Sequence, residues 1–216
     1  MLAVDVSGSM TEERLGGSAL DRTRTAVDDL LRRTAGTRVG VVTFAGSAVT
    51  RLPPTTDTSL VRGVLETADV GVDTNGSAVG TALGLAVERL RATEARARVV
   101  VLVSDGRHNA GAISPETAAE LARSAGVPVH ALIPFAPAAD GSVERVRSFT
   151  ESTGGRTVVA TEDASSLAEA LAEVVPDEIS PGPPIRTAAA GAWLWPTLLA
   201  LALGLGLRAT RVGGVG

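Results

Sequence analysis

The sequence predicts an α/β fold: a doubly wound, mostly parallel central sheet flanked by helices, with one transmembrane helix appended at the C-terminal end. Three observations lead there. Nearly continuous apolar runs at 1–4, 38–45, 98–104 and 127–133 read as strands buried on both faces, as parallel strands are. Between them lie stretches whose apolar residues recur at helical spacing, so strand and helix alternate along the chain. Residues 188–207 carry no charge, and about 20 apolar residues suffice to cross a bilayer.

The first strand runs into Asp5 and then into a loop that carries Ser7, Gly8 and Ser9. Asp5, Ser7 and Ser9 alternate across what reads as a short extended loop. Their hard oxygens can therefore turn toward one point above the strand's carboxyl end, the edge where open parallel sheets hold ligands. A polar, glycine-bearing stretch at 11–18 follows, and Leu20, Thr23, Val27, Leu30 and Leu31 then mark an amphipathic helix ending at Arg33. The run 38–45 is the second buried strand, and 48–52 a short edge strand that Pro53 and Pro54 stop. Asp57 or Thr58 caps a helix running to about Ala68. Beyond a loop at 71–76, Val79, Leu83, Ala86, Val87 and Leu90 define a second strong helix with Ser77 in its first turn. The strand 98–104 ends at Asp105, and Gly106 turns the chain. Ser114 and Pro115 open a helix that ends at Gly126. Strand 127–133, helix 142–152, strand 156–160 and helix 164–175 complete a globular domain spanning residues 1–175. A stiff proline-rich linker at 176–187, the membrane span at 188–207 and a short arginine-containing tail at 208–216 follow.

Composition removes several function classes. A net charge of −4 and a pI near 5.3 argue against nucleic acid as a partner, because neutralising phosphates needs a basic face. All 20 basic residues are arginine, so a Walker-type phosphate loop, a Schiff-base enzyme and an S-x-x-K nucleophile are excluded. The lack of cysteine excludes disulfides, thiolate zinc sites and a cysteine nucleophile. With only three Phe and two Trp, the core is Val, Leu and Ala, and no platform exists for stacking bases.

Three oxygens from one loop do not complete an octahedral shell, so a cation site needs ligands from distant loops. Ser77, after Asn75-Gly76, and Asp105, at the end of an apolar strand, are the candidates. Each has a local alternative: Asp5, Ser7 and Ser9 suit an ordinary strand-to-helix turn, Ser77 a helix cap, and Asp105 the start of a turn. Those local roles are compatible with holding a metal.

In combination and in order, these stretches resemble the von Willebrand factor type A domain and its metal-ion-dependent adhesion site, whose pattern is D-x-S-x-S, a later threonine and a later aspartate. The resemblance assigns the metal ligands to Asp5, Ser7, Ser9, Ser77 and Asp105, with Ser77 in the place of the usual threonine. Ser104-Asp105-Gly106-Arg107-His108-Asn109-Ala110-Gly111 is similar to the D-G-x-N-N-A-G segment of bacterial membrane-anchored aerotolerance-operon proteins of the Bat type. Thr153-Gly154-Gly155 resembles their late T-G-G, and the likeness covers about residues 1–175. It implies Mg2+ or Mn2+ as cofactor and a protein partner whose Glu or Asp carboxylate completes the metal shell. The partners that the resemblance implies are a MoxR-type AAA+ ATPase or related membrane proteins of the same family.

The expectation is a membrane-anchored, cation-dependent interaction module without catalytic activity. The rival is a magnesium-dependent hydrolase or phosphatase, since D-x-S-x-S resembles the D-x-D-x-T loop of haloacid-dehalogenase phosphatases; Ser7 stands where the second acid is needed, and lysine is missing. A metal-free scaffold is the third reading. His108 reads as a solvated loop histidine rather than a general base, and His130 as a packed core residue. Asn75-Gly76-Ser77 matches a glycosylation acceptor, but a glycan there obstructs the proposed site. Arg208 and Arg211 beyond the span, against Arg186 before it, favour an extracytoplasmic globular domain, whereas Met1 on the first strand leaves no room for a signal peptide.

Overall fold

The structure, a computed structural model, describes residues 1–12, 17–34, 36–68, 76–95, 97–135 and 141–160. The helix expected at 164–175, the linker, the membrane span and the tail lie outside these residues. Among the described residues, no helix is long and apolar enough to cross a membrane.

One sheet contains β1 (Leu2–Asp5), β2 (Val39–Phe44), β3 (Ala48–Thr55), β4 (Val100–Val103), β5 (Val129–Ile133) and β6 (Thr157–Val159). Its order is β3-β2-β1-β4-β5-β6. β3 pairs antiparallel to β2, and the other neighbours pair parallel. The helices are α1 (Gly8–Thr11), α2 (Ala19–Arg33), α3 (Thr58–Glu66), α4 (Val79–Arg91), α5 (Pro115–Ser124) and α6 (Ser142–Ser152).

Successive strand residues point to opposite faces, so the apolar runs serve two cores at once. Leu2, Val4, Val41, Val101 and Val103 pack with Leu20, Val27 and Leu30 of α2 and with Val61 and Leu65 of α3. Ala3, Val42, Phe44, Val100 and Leu102 pack with Leu83 and Val87 of α4, Ala119 of α5, and Val146 and Phe149 of α6. Each fully buried Val or Leu contributes on the order of 1.5–3 kcal/mol, which is why no strand facing both layers can alternate with polar residues. Caps fix where helices begin. Ser18 Oγ accepts from Asp21 N at 3.1 Å ahead of α2, and Ser114 Oγ accepts from Thr117 N at 3.2 Å ahead of α5, with Pro115 at the first helical position.

The winding sense reverses at β1. From it the chain proceeds outward through β2 to β3, and then returns to β4 on the other side. The carboxyl ends of β1 and β4 thus flank the switch point, where sheets of this kind leave a crevice.

Three expectations are corrected. β3 does not stop at Pro53 but runs through Pro53 and Pro54 to Thr55. It is an edge strand with irregular register against β2, and an edge leaves room for residues without an N–H. The loop after Asp5 is not extended throughout, because Gly8–Thr11 coils into the single turn α1. Ser77 is not in the first turn of α4, which starts at Val79 with Ala78 as its N-cap.

Candidate metal centre

Asp5 ends β1 and is completely buried. Its Oδ1 accepts from Ser7 N at 2.9 Å, an Asx-type turn that swings the chain out of the sheet. Its Oδ2 accepts from Ser104 Oγ at 2.8 Å, which binds the first loop to the end of β4. Burial pushes the Asp5 carboxyl from its ordinary 3.8 up to about 6; the hydrogen bonds from Ser7 and Ser104 oppose that rise, and the nearby charge of Asp105 adds to it.

Three hydroxyls gather beside this carboxylate. Ser7 Oγ and Ser9 Oγ are 3.2 Å apart, and Ser77 Oγ donates to Ser7 Oγ at 3.3 Å. Ser7 and Ser77 are buried, and Ser9 is half-buried at the start of α1. Ser77 comes from 70 residues away in sequence. Ala78 N donates to Ala45 O at 2.7 Å, which pins the Ser77 segment beside the end of β2. Ala78 makes no side-chain cap, so the Ser77 hydroxyl is directed toward Ser7 rather than spent on α4.

Asp105 follows β4 and is partly exposed. Its Oδ1 accepts from Arg107 N at 3.0 Å, while Arg107 Nε lies 3.7 Å from Oδ2. Asp105 is close enough to Asp5 to raise its pKa, yet its hydrogen bond is within its own loop. The site residues read from the sequence therefore divide. Asp5, Ser7, Ser9 and Ser77 form one hydrogen-bonded chain of contacts, and Asp105 stands beside it, turned toward Arg107.

Two residues of this region carry roles the sequence reading did not assign. Ser104 supports Asp5 and also accepts from Gly106 N at 3.1 Å. Asn109 Oδ1 accepts from Ser77 N at 2.8 Å. The signal for Ser104 was a hydroxyl closing an apolar strand; for Asn109 it was the quoted segment after Asp105. His108 is half-buried rather than solvated, with Nδ1 3.2 Å from Ser77 O. His130 is buried, as expected of a core residue, and its Nδ1 accepts from Arg156 N at 3.1 Å.

The donor set fits a small hard cation. Oxygens about 2.1 Å from an octahedral magnesium stand about 3.0 Å apart along an edge, and calcium at about 2.3–2.6 Å needs about 3.3–3.7 Å. The hydroxyl separations of 3.2 and 3.3 Å lie just above the magnesium edge and at the short limit of the calcium range, so they suit a hard cation without choosing between the two. Three neutral oxygens with few carboxylates suit an ion that retains waters, as magnesium and manganese do, better than calcium with its six to eight ligands. A cation at this place offsets the cost of burying the ionised Asp5 carboxylate. Among the described residues, no three His, Cys, Asp or Glu side chains cluster, so a site here depends on hydroxyls.

Comparison with known proteins finds the same fold elsewhere. A crystal structure of an aerotolerance-related membrane protein from Bacteroides fragilis superposes with a TM-score of 0.69 at 24% identity, covering 81% of this chain and 96% of that one. BatB from Bacteroides thetaiotaomicron gives 0.65 at 22% identity, covering 80% and 94%. Proximal thread matrix protein 1 of the mussel byssus, solved with a zinc-occupied metal-ion-dependent adhesion site motif, gives 0.61 at 21% identity, covering 81% and 46%. At these identities the likeness establishes the fold. An uncharacterized protein of Borreliella burgdorferi is 26% identical over 133 residues, 61% of this chain but only 39% of that protein's length. The model of the von Willebrand factor type A domain matches residues 1–108, half of the chain and the half that contains both aspartates and all three hydroxyls, so the chain belongs to the von Willebrand factor type A domain family.

Proposed function

We propose that this protein is a non-catalytic interaction module that holds Mg2+ or Mn2+ and, through it, an acidic side chain of a partner protein. Ser7, Ser9 and Ser77 hold the ion through their hydroxyls, and Asp5 and Asp105 supply the negative charge. One observation carries the reading: Ser7 Oγ lies 3.2 Å from Ser9 Oγ and accepts from Ser77 Oγ at 3.3 Å, so hydroxyls from two distant loops gather beside a fully buried carboxylate. Both Asp5 oxygens already accept hydrogen bonds, so Asp5 is suited to act through a bound water. The ion then keeps net positive character and an open position, which a Glu or Asp carboxylate fills. The zinc-occupied motif of the mussel protein supports a divalent ion at this place in the fold.

The uncharged segment at 188–207 anchors the module to a membrane in this reading, in keeping with the description of the Bacteroides fragilis relative as a membrane protein. The charge bias around it favours a globular domain outside the cytoplasm. A MoxR-type AAA+ ATPase or a related membrane protein of the same family is the partner that the family resemblance suggests.

Calorimetric titration of the full chain with Mg2+ and Mn2+ tests the core of this reading. Saturable binding that Ser9→Ala weakens is the expected result, and no binding by the wild type overturns it. In a pull-down with the full chain as bait, a partner recovered equally well in EDTA removes the cation from the interaction. Magnesium-dependent hydrolysis of generic phosphate esters that is lost in Asp5→Ala favours the phosphatase reading instead.

A further inference from the structure

Ser77 is the one proposed ligand that its own neighbourhood in sequence does not hold in place. It precedes α4 by two residues and takes no part in capping it. The loop after β4 takes up both polar groups of its backbone. Asn109 Oδ1 accepts from Ser77 N at 2.8 Å, Asn109 N donates to Ser77 O at 3.4 Å, and His108 Nδ1 lies 3.2 Å from the same carbonyl.

Close packing on both sides fixes this arrangement. Gly76 adopts φ +108°, and a Cβ there meets Ala110 Cβ at 2.8 Å and Asn109 Oδ1 at 3.0 Å. Gly111, at φ +96°, has Thr81 Oγ1 2.7 Å and Ala78 Cβ 2.9 Å from where its Cβ would stand. A Cβ on Gly80 meets Ile113 O at 2.1 Å. Glycines at 76, 80 and 111 thus let two backbones approach more closely than any larger residue allows.

We propose that Asn109 is a positioning residue of the cation site, a latch that holds the Ser77 peptide so that its hydroxyl meets that of Ser7, which in turn contacts Ser9. This rests on the cation reading above. Asn109 lies four positions beyond Asp105, so one loop carries the last aspartate and also sets the Ser77 hydroxyl. Any displacement of that loop moves two ligands together, and the site gains or loses both at once. A partner that bears on the loop thereby changes cation affinity, and the cation changes partner affinity by the same factor.

The test compares Asn109→Ala, which removes the acceptor, with Asn109→Asp, which keeps an acceptor oxygen at the same reach, in the full chain. Two quantities are measured: exchange of the Ser77 amide in metal-free protein, and the Mg2+ dissociation constant by calorimetry. The expected result is faster Ser77 exchange in Asn109→Ala with unaltered exchange in the β1 and β4 amides, and a Mg2+ affinity about 10–100-fold lower, the usual effect of losing a group that orients a ligand. Asn109→Asp restores both to within about threefold of the wild type or binds more tightly, because its added charge favours the cation. Unaltered Ser77 exchange in Asn109→Ala overturns the latch whatever the metal does. Faster exchange with wild-type Mg2+ affinity, or an equal loss in both variants, overturns the positioning role. If the wild type binds neither Mg2+ nor Mn2+, the cation reading fails and takes the positioning role with it, while the exchange measurement still reports on the latch.

Discussion

The two loops that meet at the candidate metal centre are built on opposite plans. Asp5, Ser7 and Ser9 lie within five positions, and the Asp5 carboxylate shapes its own turn by accepting from Ser7 N. Ser77 and Asp105 are separated by the whole of α4 and β4, and contacts across that distance, made by Asn109, hold the Ser77 segment to the loop after β4. The first loop takes its turn from local chemistry at the end of a buried strand, with Ser104 Oγ tying Asp5 to the end of β4. The second arrangement is organised by packing, so it is stable only while α4, β4 and the following loop hold together.

That contrast can be broken most severely at Asp5. Asp5→Asn keeps the shape and an acceptor for Ser7 N but removes the charge, and we expect Mg2+ affinity to fall by about 100-fold or more in calorimetry. Without metal the same variant is expected to be at least as stable as the wild type in denaturant unfolding, because it removes an uncompensated buried carboxylate. A large loss of metal-free stability sinks this account of Asp5.

Gly80→Ala strikes the packed arrangement instead. Its methyl meets the backbone of Ile113 and Ser114, and an expected cost of about 1–3 kcal/mol in unfolding reflects that overlap. Wild-type stability in this variant shows that the loop after β4 yields easily.

Acidity separates the two plans more gently. The folded chain keeps a proton on Asp5 up to about pH 6, against an ordinary 3.8 when unfolded. The stability from this group is therefore fully present below 3.8 and is lost as pH rises through about 6. Relative to Asp5→Asn, the metal-free wild type should gain about 1–2 kcal/mol when pH falls from 7.5 to 5. Magnesium requires the ionised carboxylate, so its affinity should drop below about pH 6; a flat profile for both quantities contradicts the assignment. The smallest effect is expected from Ser77→Thr, which keeps the hydroxyl and should leave Mg2+ affinity within about threefold, while Ser77→Ala weakens it by about 10-fold or more.

The same contrast explains what was legible in the sequence. The buried strands could be read because residues such as Ala3 and Val4 face different cores, which leaves no polar gaps in the run. The α6 boundaries at Ser142 and Ser152 and the start of α5 at Pro115 matched, since caps and turn residues act within a few positions. Asp5, Ser7 and Ser9 could be picked out for the same reason. Ser104 and Asn109 stood in quoted segments but without an assigned role, because a side chain that serves a residue 99 or 32 positions away leaves no local spacing that names its partner. The course of β3 through Pro53 was hidden likewise: whether a proline ends a strand depends on whether a neighbour needs its N–H, and only the sheet order answers that.

Pro53 and Pro54 carry one more implication. Alternate amides of an edge strand face outward, so two imino residues in succession ensure that one missing donor falls on the outer row whichever register applies. A second chain trying to zip onto this side finds the ladder interrupted near its end, a safeguard against unwanted fibres.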